Sequence, residues 1–152
     1  TQLVPFTTID SSGARLHFVF LLKKGNGIVK IHRLYSSGIG ELVDSHDWTP
    51  NWTSVAFYED SGQTFLILLK RHTGRIDIHR MNSNGSVGAR TYNADWSSGW
   101  TQVLPFAVLQ PSGSRKWFLF LLKESNGIVH IQEMNANGTV GNRVTSYNWS
   151  AG

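Results

Sequence analysis

The chain alternates between strongly apolar stretches and short polar turns. Three of these stretches are apolar at consecutive positions and end in a lysine: residues 18–23, 65–70 and 118–123. A strand that is apolar on both faces is typical of a sheet covered on both sides. The matched lysines, Lys23, Lys70 and Lys123, are 47 and then 53 residues apart. A repeat of that length indicates a stacked or radial array of similar units.

Each repeat predicts four antiparallel strands and no helix. In the third repeat, Asn126-Gly127 predicts a tight hairpin after the apolar strand, because this pair favours the positive backbone angles that the turn needs. The next strand, residues 128–132, alternates apolar and polar positions, and a turn at residues 135–138 leads to a more polar strand that ends in a Trp. The sequence therefore predicts one all-β domain over residues 1–152, made of repeats 1–51, 52–99 and 100–152.

Four antiparallel strands repeated three times fit two architectures. A β-trefoil needs three such units in one monomer, so the chain length suits it. A β-propeller also uses four-stranded units, but its rings usually have about four to eight blades, so three blades would close only by pairing chains. We predict propeller blades, because a strand that is apolar on both faces suits a blade between two neighbours. The monomeric β-trefoil is the alternative.

The ends of the chain resemble an internal junction between repeats. Residues 1–6 match residues 101–106, and residues 149–152 match residues 96–99. The end of one copy could thus continue into the start of another. We therefore predict a homodimer that closes a six-bladed ring without open sheet edges.

Composition narrows the classes of function. The net charge is +4 without a basic tail, so nucleic acid is not an expected partner. The sequence predicts no membrane insertion, because no apolar run is long enough. Cysteine is absent, and no cofactor or metal site is indicated. The first residues lack the pattern of a signal peptide, which leaves a cytoplasmic chain or a mature secreted one.

Repeated aromatic and polar residues favour carbohydrate binding. A sugar offers an apolar C–H face and a rim of hydroxyl groups, so its site needs an aromatic plate and a few polar side chains. Every repeat has a Trp after a carboxylate or an amide: Asp47-Trp48, Asp95-Trp96 and Asn148-Trp149. Further candidate ligand-binding residues recur at matched positions: Lys23, Lys70, Lys123, His32, His79, Arg33 and Arg80. One weak site per repeat would gain strength by avidity.

The repeats resemble the tryptophan-rich blades of bacterial and fungal β-propeller lectins, the group that includes tachylectin-like and fucose-binding types. The similarity covers the whole chain and rests on the order of strand, glycine turn, strand and Trp. It implies non-enzymatic binding of glycans at several equivalent sites between or within blades. The chain departs from the fucose-binding pattern because a repeated Lys takes the place of an identifiable Arg and Glu pair, which leaves the sugar open.

Other interpretations of the same residues remain. The repeated Trp could pack one unit against the next, and each Lys could keep its charge in water. No carboxylate pair and no Ser, His and Asp set recurs, so we expect no enzyme. The alternative function is a protein-interaction or inhibitor scaffold that binds a partner protein through its loops. The third repeat also differs, because His79 and Arg80 correspond to Gln132 and Glu133.

Overall fold

The computed structural model describes residues 1–151; Gly152, which belongs to the predicted domain and to the matched chain ends, lies outside the described residues. The sequence forms twelve strands. Blade 1 contains β1 (Gln2–Ile9), β2 (Arg15–Lys23), β3 (Ile28–Tyr35) and β4 (Gly38–Asp47). Blade 2 contains β5 (Ser54–Asp60), β6 (Gln63–Leu69), β7 (Arg75–Met81) and β8 (Val87–Asp95). Blade 3 contains β9 (Gln102–Leu109), β10 (Arg115–Lys123), β11 (Ile128–Met134) and β12 (Val140–Asn148).

The three blades are separate antiparallel sheets, each with its strands in chain order. This confirms the predicted all-β class with three four-stranded repeats. None of the sheets of residues 1–151 closes on itself, so the arrangement is propeller-like rather than a trefoil. A 3-10 turn at Trp149–Ala151 follows the last strand. No helix among the described residues has the length and apolar character needed to span a bilayer.

The hydrophobic core lies between the blades. One cluster joins blade 1 to blade 2 and includes Phe18, Phe20, Leu22, Leu66 and Leu68. A second cluster joins blade 2 to blade 3 and includes Phe65, Ile67, Leu69, Leu119 and Leu121. Alternate residues of β6 enter different clusters, because successive side chains of a strand point to opposite faces. The second strand of blade 2 is therefore apolar on both faces because blade 1 packs on one face and blade 3 on the other.

Adjacent blades are also joined by polar contacts at the ends of the strands. The hydroxyl of Thr64 donates to the carbonyl of Thr7 (2.7 Å), and the hydroxyl of Thr8 donates to the carbonyl of Ser83 (2.6 Å). Both hydroxyl-bearing residues are buried. These bonds set the relative position of blades 1 and 2, since a buried hydroxyl without a partner would be costly.

No other blade of the described residues packs on the outer faces of blades 1 and 3. Leu3 of blade 1 is 63% exposed, whereas Val55, its counterpart in blade 2, is 7% exposed. On blade 3, Leu104 is 60% exposed, whereas its counterpart Ala56 is 9% exposed. Each outer face therefore has the apolar pattern of a face that is buried between blades elsewhere in the chain.

Candidate functional site

A repeated backbone contact holds the Trp at the end of each blade. The N–H groups of Trp48, Trp96 and Trp149 donate to the carbonyls of Gly27, Gly74 and Gly127 at 3.1, 3.0 and 2.9 Å. These glycines have positive φ. A Cβ at Gly74 would overlap the carbonyl oxygen of Trp96, so only glycine lets the chain pass this close. The hairpin of each blade thereby fixes where its Trp lies.

The first interblade site is a cavity of about 300 Å³ between blades 1 and 2. One of its two tryptophans follows blade 1 directly, the other lies just before blade 2, and most of its polar groups come from blade 2. The ring of Trp48 packs near those of His46 and His79, at centroid distances of 5.2 and 5.9 Å. The residues that line this cavity are Asp47, Trp48, Thr49, Trp52, Leu68, Asp77, His79 and Arg90.

The second interblade site is a cavity of about 200 Å³ between blades 2 and 3. Its lining residues are Trp96, Ser97, Trp100, Leu121, His130, Gln132 and Arg143. Each of them occupies the repeat position of a residue in the first site, because the matching strands pair in the same register. The third and fourth strands of each blade also shift register at the same place, which puts His79 and Gln132 at equivalent points.

A lysine head group lies at the edge of each site in the same geometry. Nζ of Lys70 donates to the hydroxyl of Thr49 (2.6 Å) and lies 4.7 Å from the ring centroid of Trp52. Nζ of Lys123 donates to the hydroxyl of Ser97 (2.8 Å) and lies 4.8 Å from the ring of Trp100. Burial lowers the pKa of Lys70 from its ordinary value. The cation–π geometry orders each ammonium beside the cavity.

The two most enclosed tryptophans carry an unsatisfied donor. Trp52 is 5% exposed and Trp100 is 2% exposed, and the indole Nε1 of each has no hydrogen-bond partner among the described residues. Buried indole N–H groups usually find an acceptor, because leaving a buried donor unpaired is costly. Both side chains line the equivalent cavities. The indole nitrogen itself is enclosed, so a ligand hydroxyl would reach it only after a shift of the Trp side chain.

The first site contains a compensated set of charges. The buried carboxylate of Asp77 lies 2.8 Å from Nε of Arg75 and 3.5 Å from Nη1 of Arg90. Burial is the main cause that lowers the pKa of His79, so its imidazole is mostly neutral at pH 7. Nδ1 of His79 faces the carbonyl of Gly88 at 3.4 Å. The site thus offers hydroxyl-binding donors and acceptors with little net charge.

The structure brings the predicted residues together across units rather than within one. Trp48 lies with Lys70 and His79, and Trp96 lies with Lys123. Asp47 lines the first site, whereas Asp95 is largely exposed and pairs with Arg75 at 3.4 Å. Trp149 and Asn148 lie exposed on blade 3, where Asn148 accepts from the hydroxyl of Ser150 (2.7 Å).

The remaining predicted residues lie outside both cavities. Lys23 and His32 are on blade 1. Blade 1 is the first of the three, so no preceding blade among the described residues completes a site beside them. Arg33 lies over the ring of Phe18 at 4.9 Å, and Arg80 is exposed. Arg33 and Arg80 follow His32 and His79 directly, so strand alternation turns them to the opposite face.

Sequence reasoning missed several residues of the two sites. Trp52 and Trp100 were not among the candidates, although each precedes the Thr that opens the next blade. Asp77 and His130 were missed as well. They occupy the same repeat position but differ in chemistry, so a search for recurring residues does not find them. A second Trp recurs four residues after Trp48 and after Trp96, and this spacing was a signal that could have identified the buried tryptophans.

Two other cavities lie along the inner strands. One is polar and is bordered by Lys24, Arg71, His72 and Glu124, among others; the other contains Arg15, Glu59, Arg115 and Trp117. The polar cavity is bordered by matched positions of all three blades, such as Lys24, Arg71 and Glu124, so it occurs once in the chain, whereas the interblade site occurs twice. No group of three or more His, Asp or Glu side chains suited to a metal ion occurs in residues 1–151.

Comparison with known proteins places the fold. No protein-family model and no curated protein matches the chain. Among solved structures, the chain is similar to a "putative 6-phosphogluconolactonase" from Bacteroides fragilis, with a TM-score of 0.63 and 15% sequence identity. The match covers 97% of this chain and 38% of that one, so the chain spans well under half of its length. At this identity the similarity establishes a shared fold.

This similarity corrects the expectation that the protein is not an enzyme. That expectation rested on the absence of a recurring catalytic set. It was wrong, because the protein with the similar fold bears the name of an enzyme. A catalytic site in an array of blades need not recur in each blade, since function depends on individual sites rather than on the fold. The lack of repetition therefore excludes no enzyme.

Proposed function

We propose that the protein is a multivalent carbohydrate-binding protein of the β-propeller lectin type, whose glycan sites are the two interblade sites. The observation that carries the proposal is that two equivalent cavities repeat the same lining, each with a half-buried Trp and with a buried Trp whose indole N–H is unpaired. A sugar hydroxyl is an acceptor of the right kind. The exposed part of Trp48 or Trp96 supplies an apolar surface for its C–H face.

The polar rim of each site fits the same interpretation. Lys70 and Thr49 lie at the edge of the first site, and Lys123 and Ser97 lie at the edge of the second. Their N–H and O–H groups are donors that match a rim of sugar hydroxyls. The cavity of the first site is at the lower end of the size range of small-molecule pockets, about 300 Å³, which suits a small saccharide.

Substitution of the half-buried tryptophans tests the proposal. We expect Trp96→Ala to abolish binding at the second site and to leave the first site intact, so that calorimetric titration with a glycan found on an array gives one site fewer per chain. The loss should be at least about 2 kcal/mol, as for other aromatic anchors. Trp48→Ala should have the equivalent effect on the first site.

Tyr35→Ala is the control, because Tyr35 is an exposed aromatic residue at the tip of a hairpin outside both cavities. Its binding should equal that of the unaltered chain. If the folded protein binds no glycan on a broad array, the proposal fails. Hydrolysis of 6-phosphogluconolactone by the purified protein would favour an enzyme of the kind named for the similar structure, and binding of a protein partner through the loops would favour the scaffold.

We also propose that two copies pair their outer faces to close a six-bladed ring. The outer face of blade 1 repeats the face of blade 2 that packs on blade 1; its apolar positions are Leu3, Val19, Leu21 and Leu34. The outer face of blade 3 repeats the face of blade 1 that packs on blade 2, through Phe118, Phe120 and Leu122. Contact between the two outer faces would bring Trp149 of one copy to Lys23 of the other.

Sedimentation equilibrium tests the ring. We expect a mass twice that of the chain at micromolar concentration. Leu104→Glu should yield monomer, because it places a charge in the apolar outer face of blade 3. Leu109→Glu is the matched control, since Leu109 is equally exposed but lies on the other face of β9. A monomer of the unaltered chain would refute the ring.

A further inference from the structure

The two interblade sites match in position but differ in charge. In the first site, Asp77 compensates Arg90, and Asp47 adds a second carboxylate to the lining. In the second site, His130 occupies the position of Asp77, and no carboxylate is among the residues that line the cavity. Because His130 replaces the aspartate at this repeat position, Arg143 of the second site lacks the carboxylate partner that Arg90 has in the first.

The second site holds two cations without an acidic partner. Lys123 lies at its edge against Trp100, and Arg143 lines it. Neither forms an ion pair with a carboxylate of residues 1–151. Nη1 of Arg143 instead faces Nε2 of His130 at 3.5 Å. A guanidinium in this position keeps its donors available to a ligand.

The positive charge of the second site does not depend on its histidine. Burial first, and then the charges of Arg143 and Lys123, hold the pKa of His130 below its ordinary value. The imidazole is therefore mostly neutral at pH 7. It can hydrogen-bond a ligand while Lys123 and Arg143 supply the charge.

We infer that the second interblade site binds an anionic saccharide, one that bears a carboxylate or a sulfate group, whereas the first site binds a neutral saccharide. The inference rests on the proposed function and adds the ligand class of each site. Arg143 is suited to a planar anionic group through its paired donors, and Trp100 adds an unpaired N–H. In the first site an anion would meet Asp77, and like charges at short range disfavour binding.

NMR titration can observe the two sites separately. The indole N–H signals of Trp52 and Trp100, assigned with Trp52→Phe and Trp100→Phe, report the first and second sites. The probes are the methyl β-glycosides of glucose, galactose and N-acetylglucosamine, in neutral, 6-carboxylate and 6-sulfate forms. We expect the anionic forms to shift the Trp100 signal at concentrations on the order of tenfold lower than the neutral forms, a typical effect of a charge-assisted bond. The carboxylate and sulfate forms then distinguish the two anionic groups.

Two substitutions remove the proposed preference. His130→Asp gives the second site the carboxylate that Asp77 supplies in the first. It should reduce anion binding at the second site about tenfold while neutral binding persists. Arg143→Gln should do the same without altering the buried part of the site, because Arg143 is exposed on an outer strand. Arg115→Gln is the matched control, since this exposed arginine of blade 3 lies outside the site.

The outcomes separate this inference from the proposed function. Equal response of the Trp100 signal to neutral and anionic probes would overturn the inference and retain sugar binding. Anion preference that survives in both His130→Asp and Arg143→Gln would also overturn it. If no probe shifts either indole signal, the inference fails. The proposed function would then stand only if the protein binds a different glycan on the array.

Discussion

Trp100→Ala is expected to lower the free energy of unfolding by roughly 3–5 kcal/mol, the usual cost of truncating a buried Trp. Trp100 is 2% exposed and belongs to the cluster that joins blades 2 and 3. Its removal leaves a cavity and also removes the aromatic surface under Lys123. Denaturant unfolding of the variant, compared with the unaltered chain, measures the effect.

Trp96→Ala is the comparison for this prediction, because Trp96 lies in the same site but is only partly buried. We expect it to lose sugar binding with a stability cost well below that of Trp100→Ala. On the proposed function, Trp100 contributes mainly to packing between blades, whereas Trp96 contributes mainly to ligand contact. Equal stability losses for the two variants would contradict this division.

Gly74→Ala is expected to destabilise the protein by clearly more than about 1 kcal/mol, the scale of placing a non-glycine residue at positive φ. Gly74 has a φ of +74°, and a Cβ there would also overlap the backbone carbonyls of Trp96 and Ser97. Backbone atoms cannot rotate away, so the end of blade 2 must shift. Thermal or denaturant unfolding measures the loss.

Gly113→Ala separates the strain from the overlap. Gly113 has a similar φ of +82°, but a Cβ there meets no atom within 4 Å. This variant should therefore show the cost of the backbone angle alone. If both variants lose the same stability, the close passage of Trp96 over Gly74 contributes nothing and the explanation is wrong.

The strands could be predicted because their pattern is local. The apolar run of residues 65–70, the Asn-Gly turns and the repeat period each constrain neighbouring residues. The prediction of three four-stranded repeats was correct for this reason. Burial of both faces of β6 also follows from its sequence, because residues 65–69 are apolar on both faces of the strand.

The site could be predicted only in part, because its residues come from two blades. The sequence groups Lys70 with Trp96 in one repeat, whereas the structure brings Lys70 to Thr49, beside Trp48 at the end of blade 1. Which tryptophan meets which lysine depends on how the sheets stack, and no local pattern records that. The charge difference between the sites depends on Asp77 and His130, which occupy one repeat position but were not among the candidate residues.

The division of each site between two blades links ligand binding to the cohesion of the array. A ligand in the first interblade site touches Trp48 from one sheet and His79 from the next, so it is held only while the two sheets remain docked. Binding therefore raises the free energy needed to separate the two sheets, by an amount that grows with the logarithm of the ligand concentration over its dissociation constant. A ligand bound in an interblade site would therefore act as a reversible cross-link within the protein.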